Sequence, residues 1–156
     1  MIAKDPFLSL CKIIVGSHCI ISGLAFVTLL LLITTCGNNA SPKFRQYYVH
    51  GEKLYLKHCS NCHQKDGTGL GRVYPPLNQS DFMERNFGEV VCLIRHGASG
   101  EMIVNGKEYN QRMPAMPALT DLEIAEITTY IYNTWSHDKG IVEVNTVSEM
   151  LSACGK

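Results

Sequence analysis

The five residues Cys59-Ser60-Asn61-Cys62-His63 constrain this chain more than any other stretch. Two thiols three positions apart share one turn of a helix, and a histidine follows at once. A thioredoxin-type dithiol would sit after a strand in a βαβ unit, and no such pattern surrounds the motif. A zinc ribbon would need a second C-x-x-C or an H-x-x-x-H, and the sequence has neither. A structural disulfide is the remaining bland use. Against these stands C-x-x-C-H as the attachment signature of a c-type haem. Each thiol can add to a vinyl group of the same porphyrin, and the His63 imidazole then reaches the iron from one face. Such a tether holds the group even in a small domain with little core to enclose it.

The start of the chain bears on where this chemistry happens. No Asp, Glu, Lys or Arg occurs in residues 13–42, and Lys4 and Lys12 precede that run. A basic start, an apolar centre and a small-residue exit mark an export signal. Ile33-Thr34-Thr35-Cys36 at the exit resembles a bacterial lipoprotein signal, with Cys36 as the lipidated first residue of the mature chain. Thr35 departs from that pattern, where Gly, Ala or Ser is usual. The alternative is an uncleaved membrane helix, for which roughly 20 apolar residues suffice. Ser17, His18 and Ser22 make the first half of the run poor for that purpose, so the lipoprotein reading is preferred. Both readings place the rest of the chain outside the cytoplasm, on the periplasmic side and tethered to a membrane. That is where c-type haem is attached.

The expected organisation is an export segment at 1–35, a linker at 36–45, a haem domain at 46–136 and a tail at 137–156. Removing residues 1–35 takes away Lys4, Lys12 and Asp5, leaving 12 of 14 basic and 13 of 14 acidic side chains. A nearly neutral domain gives no nucleic-acid signal.

Tyr47, Gly51, Tyr55 and Cys59 recur every four residues, which predicts a helix leading into the motif. Gly51 costs such a helix about 1 kcal/mol against Ala, and is worth keeping where another helix crosses closely. The loop from Gln64 to Gly71 carries Gly67, Gly69 and Gly71, but lacks the Gly-Lys-Ser/Thr ending of a phosphate cradle. Tyr74-Pro75-Pro76-Leu77 reads as an extended turn. Residues 81–96 predict one helix, closed by Gly97 and Gly100. Asn105-Gly106 between two short runs signals a very short hairpin. Thr120-Asp121-Leu122-Glu123 is a capping box, and Ile124, Ile127, Ile131 and Trp135 form the stripe of the helix expected to cross at Gly51. The tail is less regular, with a short helix expected over 142–151.

This order of parts resembles the class I cytochromes c, and most closely the small bacterial monohaem ones. The matching residues are Gly51 and Tyr55, the Cys59-to-His63 motif, Tyr74-Pro75-Pro76-Leu77, Val104-Asn105-Gly106, Tyr109-Asn110, Met113-Pro114-Ala115 and Tyr130-Ile131. They span about residues 46–135. The resemblance implies a mostly α fold, with three to four helices around one covalent haem c. It implies His63 and a methionine as axial ligands. It further implies that the Pro75 carbonyl accepts from the ligand imidazole, fixing its tautomer, and that Leu77 packs on the porphyrin.

Five methionines follow His63; Met150 lies in the tail, and the candidates are Met83, Met102, Met113 and Met116. Met83 is expected in the core, and Met102 as packing at the hairpin. Met116 is held close to the capped helix by Pro117 and Ala118, whereas Met113 has six positions before Leu119 and matches the M-P-A position. Pro114 biases Met113 toward extended backbone. Met113 is therefore the expected ligand, with Met116 as runner-up. A rival use of Met113 and Met116 is copper(I) binding, which suits soft thioethers, but no third thioether or Cys/His pair stands alongside.

With both axial positions filled, the expected function is outer-sphere electron transfer between redox partner proteins, as a membrane-tethered carrier or a haem subunit of a respiratory complex. The alternatives are a haem enzyme or gas-binding protein with an open or displaceable sixth position, and an assembly module whose dithiol binds metal. Arg72, Arg95 and Tyr109 are weak candidates for haem propionates. Cys92 is expected as a buried thiol, although a bond to Cys154 fits the compartment. His50, His58 and His96 are expected at the surface, with His58 able to replace a lost methionine.

Overall fold

The computed structural model describes residues 40–155. The export segment and residues 36–39 of the expected linker, Cys36 among them, lie outside the described residues. Ser41 starts the first helix, α1 (Pro42–His58): its hydroxyl accepts from the Phe44 N–H at 3.1 Å and Pro42 takes the first helical position. Tyr47, Gly51 and Tyr55 face inward along it. A one-turn helix, α2 (Ser60–His63), then carries the motif, and two more, α3 (Asp81–Arg85) and α4 (Phe87–His96), follow the glycine loop. The strands β1 (Met102–Val104) and β2 (Lys107–Tyr109) pair antiparallel. Helices α5 (Asp121–Ile131) and α6 (Val144–Ala153) complete the order. Among the described residues no helix is long and apolar enough to cross a membrane.

The main packing is α1 across α5. A Cβ on Gly51 would collide with the Glu126 carbonyl oxygen and meet the Tyr130 Cβ at 2.8 Å, so only glycine allows this approach. Tyr55, Ile124 and Ile127 are buried at the crossing. The capping box forms as read: the Thr120 hydroxyl accepts from the Glu123 N–H at 3.2 Å, and the Glu123 carboxylate accepts from the Thr120 N–H at 2.7 Å. The hairpin is also present, with Asn105 and Gly106 both at positive φ, 52° and 70°, as a tight turn of its hand requires.

Three expectations change. Residues 81–96 form two helices, because Asn86 (φ −122°, ψ 43°) interrupts them. Its side-chain amide and its own N–H both donate to the Phe82 carbonyl, at 3.0 and 2.9 Å, which closes the first helix on Asn86. Secondly, α5 ends at Ile131, four residues short of Trp135. The side chains of Asn133 and Thr134 donate to the Thr129 and Tyr130 carbonyls, each at 2.6 Å. Trp135 returns from the following turn and packs on Tyr55 and Tyr130. Thirdly, Cys92 is no free thiol. It is bonded to Cys154, with Cα atoms 5.8 Å apart, which fixes α6 to α4. Val147 is fully buried where α6 packs on α4 and α5.

Candidate functional site

The end of α1 sets the first cysteine. The Cys59 N–H donates to the Tyr55 carbonyl at 2.8 Å, and the Cys59 carbonyl accepts from Cys62 and His63 at 3.1 and 3.0 Å. The motif is thus one closed turn, with Cys59, Cys62 and His63 lining one cleft. Gln64 leaves the turn at φ 62°, and the Tyr55 hydroxyl donates to its carbonyl at 2.5 Å.

The glycine loop folds back over this turn. Gly69 N–H donates to the His63 carbonyl at 3.0 Å, while the Gly67 carbonyl accepts from Leu77 and Asn78 at 2.8 and 2.9 Å. These bonds bring the Pro75 carbonyl 3.0 Å from His63 Nδ1. A carbonyl can only accept, so Nδ1 carries the proton and Nε2 keeps a free lone pair. Burial lowers the His63 pKa, opposed by the Pro75 carbonyl. Leu77 lines the cleft beside Pro75.

The opposing material is the methionine loop. Met113 and Ala98 form an isolated antiparallel bridge, each N–H donating to the other's carbonyl at 3.0 Å. Gly97 permits it: at φ +73°, a Cβ there would lie 2.5 Å from the Met113 carbonyl oxygen. Met116 N–H donates to the Arg95 carbonyl at 3.2 Å. Met83, Met102, Met113 and Met116 all line the cleft, and Met83, 2% exposed, serves as core and cleft wall together.

The cleft encloses about 1110 Å³, open mouth included. Leu77, Phe82, Val90, Leu93, Ile94, Ile127 and Ile131 give it apolar walls, and Tyr74, Tyr109 and Arg112 also line it. Sequence reading did not single out Phe82, Leu93, Ile94, Ile127 and Ile131 as cleft walls. Their helical stripes mark a buried face, and that face is shared between the core and the cleft. Arg112 was missed without any signal. Arg95 is not available for propionates, because it donates to the Pro117 and Leu119 carbonyls at 3.2 and 2.5 Å and pairs with Asp121 at 2.6 Å. Arg72 is exposed in the glycine loop and does not line the cleft. His50 and His96 are exposed, and His58 is half-buried and lines the cleft.

The donor set fits a covalently held haem. Cys59 and Cys62 are free thiols, because the disulfide in the domain joins other cysteines. Burial, with a lesser contribution from Cys62, pushes the Cys59 thiol up to about 12. A reactive redox dithiol or thiolate metal site has its thiol pKa lowered instead. Among the described residues no three His, Cys, Asp or Glu side chains converge on a metal position.

The family model described as cytochrome C oxidase, cbb3-type, subunit III matches residues 48–131. Cytochrome c-552 of Thermus thermophilus is 30% identical over 95 residues, which cover 58% of this chain and 72% of that protein. This chain is a class I c-type cytochrome. The cytochrome c subunit of the quinone alcohol dehydrogenase of Gluconacetobacter polyoxogenes is 29% identical over 106 residues. Those residues make up 65% of this chain but 20% of that subunit. The cytochrome holds haem c covalently and works in haem-based electron transfer with redox partners, not as an enzyme in its own right.

Proposed function

We propose that Cys59 and Cys62 form the two thioethers to the haem, and that His63 and Met113 are its axial ligands. When bound, the group supplies a one-electron Fe(III)/Fe(II) couple. The observation that carries the reading is the bond from His63 Nδ1 to the Pro75 carbonyl, which leaves Nε2 as the ligating nitrogen on a cleft shared with both cysteines. That carbonyl orients the ring and raises its basicity. A Met113 thioether on the other side raises the reduction potential relative to a second histidine. Leu77 and the apolar walls exclude water, so the protein reorganises little when the charge changes. Met113 is favoured over Met116 by its backbone bridge to Ala98 and by its longer span to Leu119. The site then exchanges electrons without binding a substrate at the metal.

The cytochrome in this reading is exported and membrane-tethered through Cys36, as a carrier or as the haem subunit of a larger oxidoreductase. Residues 1–35 are its signal and 46–136 its haem domain. Mass spectrometry of the exported protein tests the attachment. The peptide holding Cys59-Ser60-Asn61-Cys62-His63 is expected to carry the mass of haem, and replacing both cysteines with serine is expected to abolish it. An exported protein whose motif peptide carries no haem would refute the assignment. For the tether, Cys36→Ser is expected to move the protein from the membrane to the soluble fraction. Retention in the membrane would favour an uncleaved helix.

A further inference from the structure

Arg95 lies in the last turn of α4 and touches the methionine loop at three places. Its carbonyl accepts from Met116 N–H at 3.2 Å. Its guanidinium donates to the Pro117 carbonyl at 3.2 Å and to the Leu119 carbonyl at 2.5 Å. The same guanidinium pairs with Asp121 at 2.6 Å, and its side chain is 18% exposed. The other Asp121 oxygen accepts from the Ser148 hydroxyl at 2.6 Å. Ser148 lies on α6, which the Cys92–Cys154 bond holds to α4, the helix that carries Arg95. The network is therefore closed. It joins the exit of the methionine loop to three helices through a partly buried, planar donor set that Lys cannot reproduce.

We propose that Arg95 is the positioning residue for the axial methionine. It touches neither the cleft nor the iron, and it acts by holding the loop from Met113 to Leu119 in the ligating conformation. Asp121 and Ser148 hold Arg95. The inference rests on the His63/Met113 reading. It adds that the strength of the sixth bond is set by this clamp, and not by the thioether alone.

An added ligand can enter the sixth position only from the loop-open state. Its apparent dissociation constant is the intrinsic one divided by the open fraction. Imidazole titrated into the ferric, haem-loaded protein is therefore the readout. Arg95→Gln is expected to tighten imidazole binding by about tenfold or more, with Arg95→Lys in between. In a Met113→Ala background the sixth position no longer depends on the loop, so Arg95→Gln is expected to change imidazole binding little. If Arg95→Gln yields no folded holoprotein, Asp121→Asn and Ser148→Ala read the same clamp, each with a smaller tightening. Equal effects of Arg95→Gln with and without Met113 would reduce Arg95 to a general stabiliser. No tightening in any of the variants would also overturn the proposal. Should Met113→Ala alone leave imidazole binding and the spectrum unchanged, the ligand assignment has failed and not the clamp.

Discussion

His63 gains its chemistry from a backbone atom twelve residues away. The Pro75 carbonyl fixes its tautomer at 3.0 Å, and burial lowers its pKa. Gly51 has a comparable dependence on one distant atom, since the Glu126 carbonyl occupies the space of its missing Cβ. Gly51→Ala would gain about 1 kcal/mol in helix propensity. It would also force the α1–α5 crossing apart, where overpacking costs about 1–3 kcal/mol. The expected outcome is a net loss of stability, read as a lower urea midpoint at unchanged slope. A higher midpoint would show that the crossing has slack.

At the scale of elements, what could be read in the sequence was whatever is decided locally. The motif turn, the Asn105-Gly106 hairpin and the capping box each need only residues within five positions of one another. The break at Asn86 was hidden because the apolar pattern of residues 81–96 continues through it. Nothing in that pattern shows that the Asn86 side chain will join its own N–H on the Phe82 carbonyl and close the helix there. Trp135 misled in the opposite way: its spacing is helical, but Asn133 and Thr134 end the helix before it. The partners of Arg95 were illegible because they lie 22 to 26 positions away. Thr120→Ala is expected to destabilise the fold by about 1 kcal/mol through the lost cap, measured by thermal or urea unfolding.

Acid sensitivity also belongs to the elements. Backbone N–H donation from Asn105, then Arg85, holds Asp81 below its usual range, and Thr120 does so for Glu123. Both pKa values are lowered in the folded state. Their contribution is therefore present above the ordinary carboxylate range and is lost as pH falls through the folded values. Stability is expected to fall as the pH drops below roughly 4. Asp81→Asn with Glu123→Gln is expected to flatten that fall. An unchanged acid limb in the double variant would contradict the assignment.

For the whole molecule, the disulfide matters because its cysteines are 62 positions apart. Closing a loop of that size contributes roughly 4 kcal/mol in the chain-entropy picture, within a usual span of about 2–5. Cys154→Ser is expected to lower the unfolding midpoint accordingly while leaving haem attachment intact. The same cleft, walled by several elements and reached by Cys59, Cys62, His63 and the methionine loop, is what makes the fold an electron carrier. The most direct test of that account is the ferric optical spectrum of the exported protein, compared for wild type, Met113→Ala and Met116→Ala. Wild type and Met116→Ala are expected to show a low-spin haem with the long-wavelength band of methionine–iron ligation, and Met113→Ala to lose both. Loss in Met116→Ala with retention in Met113→Ala would contradict the assignment, and a high-spin wild-type spectrum would contradict the six-coordinate carrier itself.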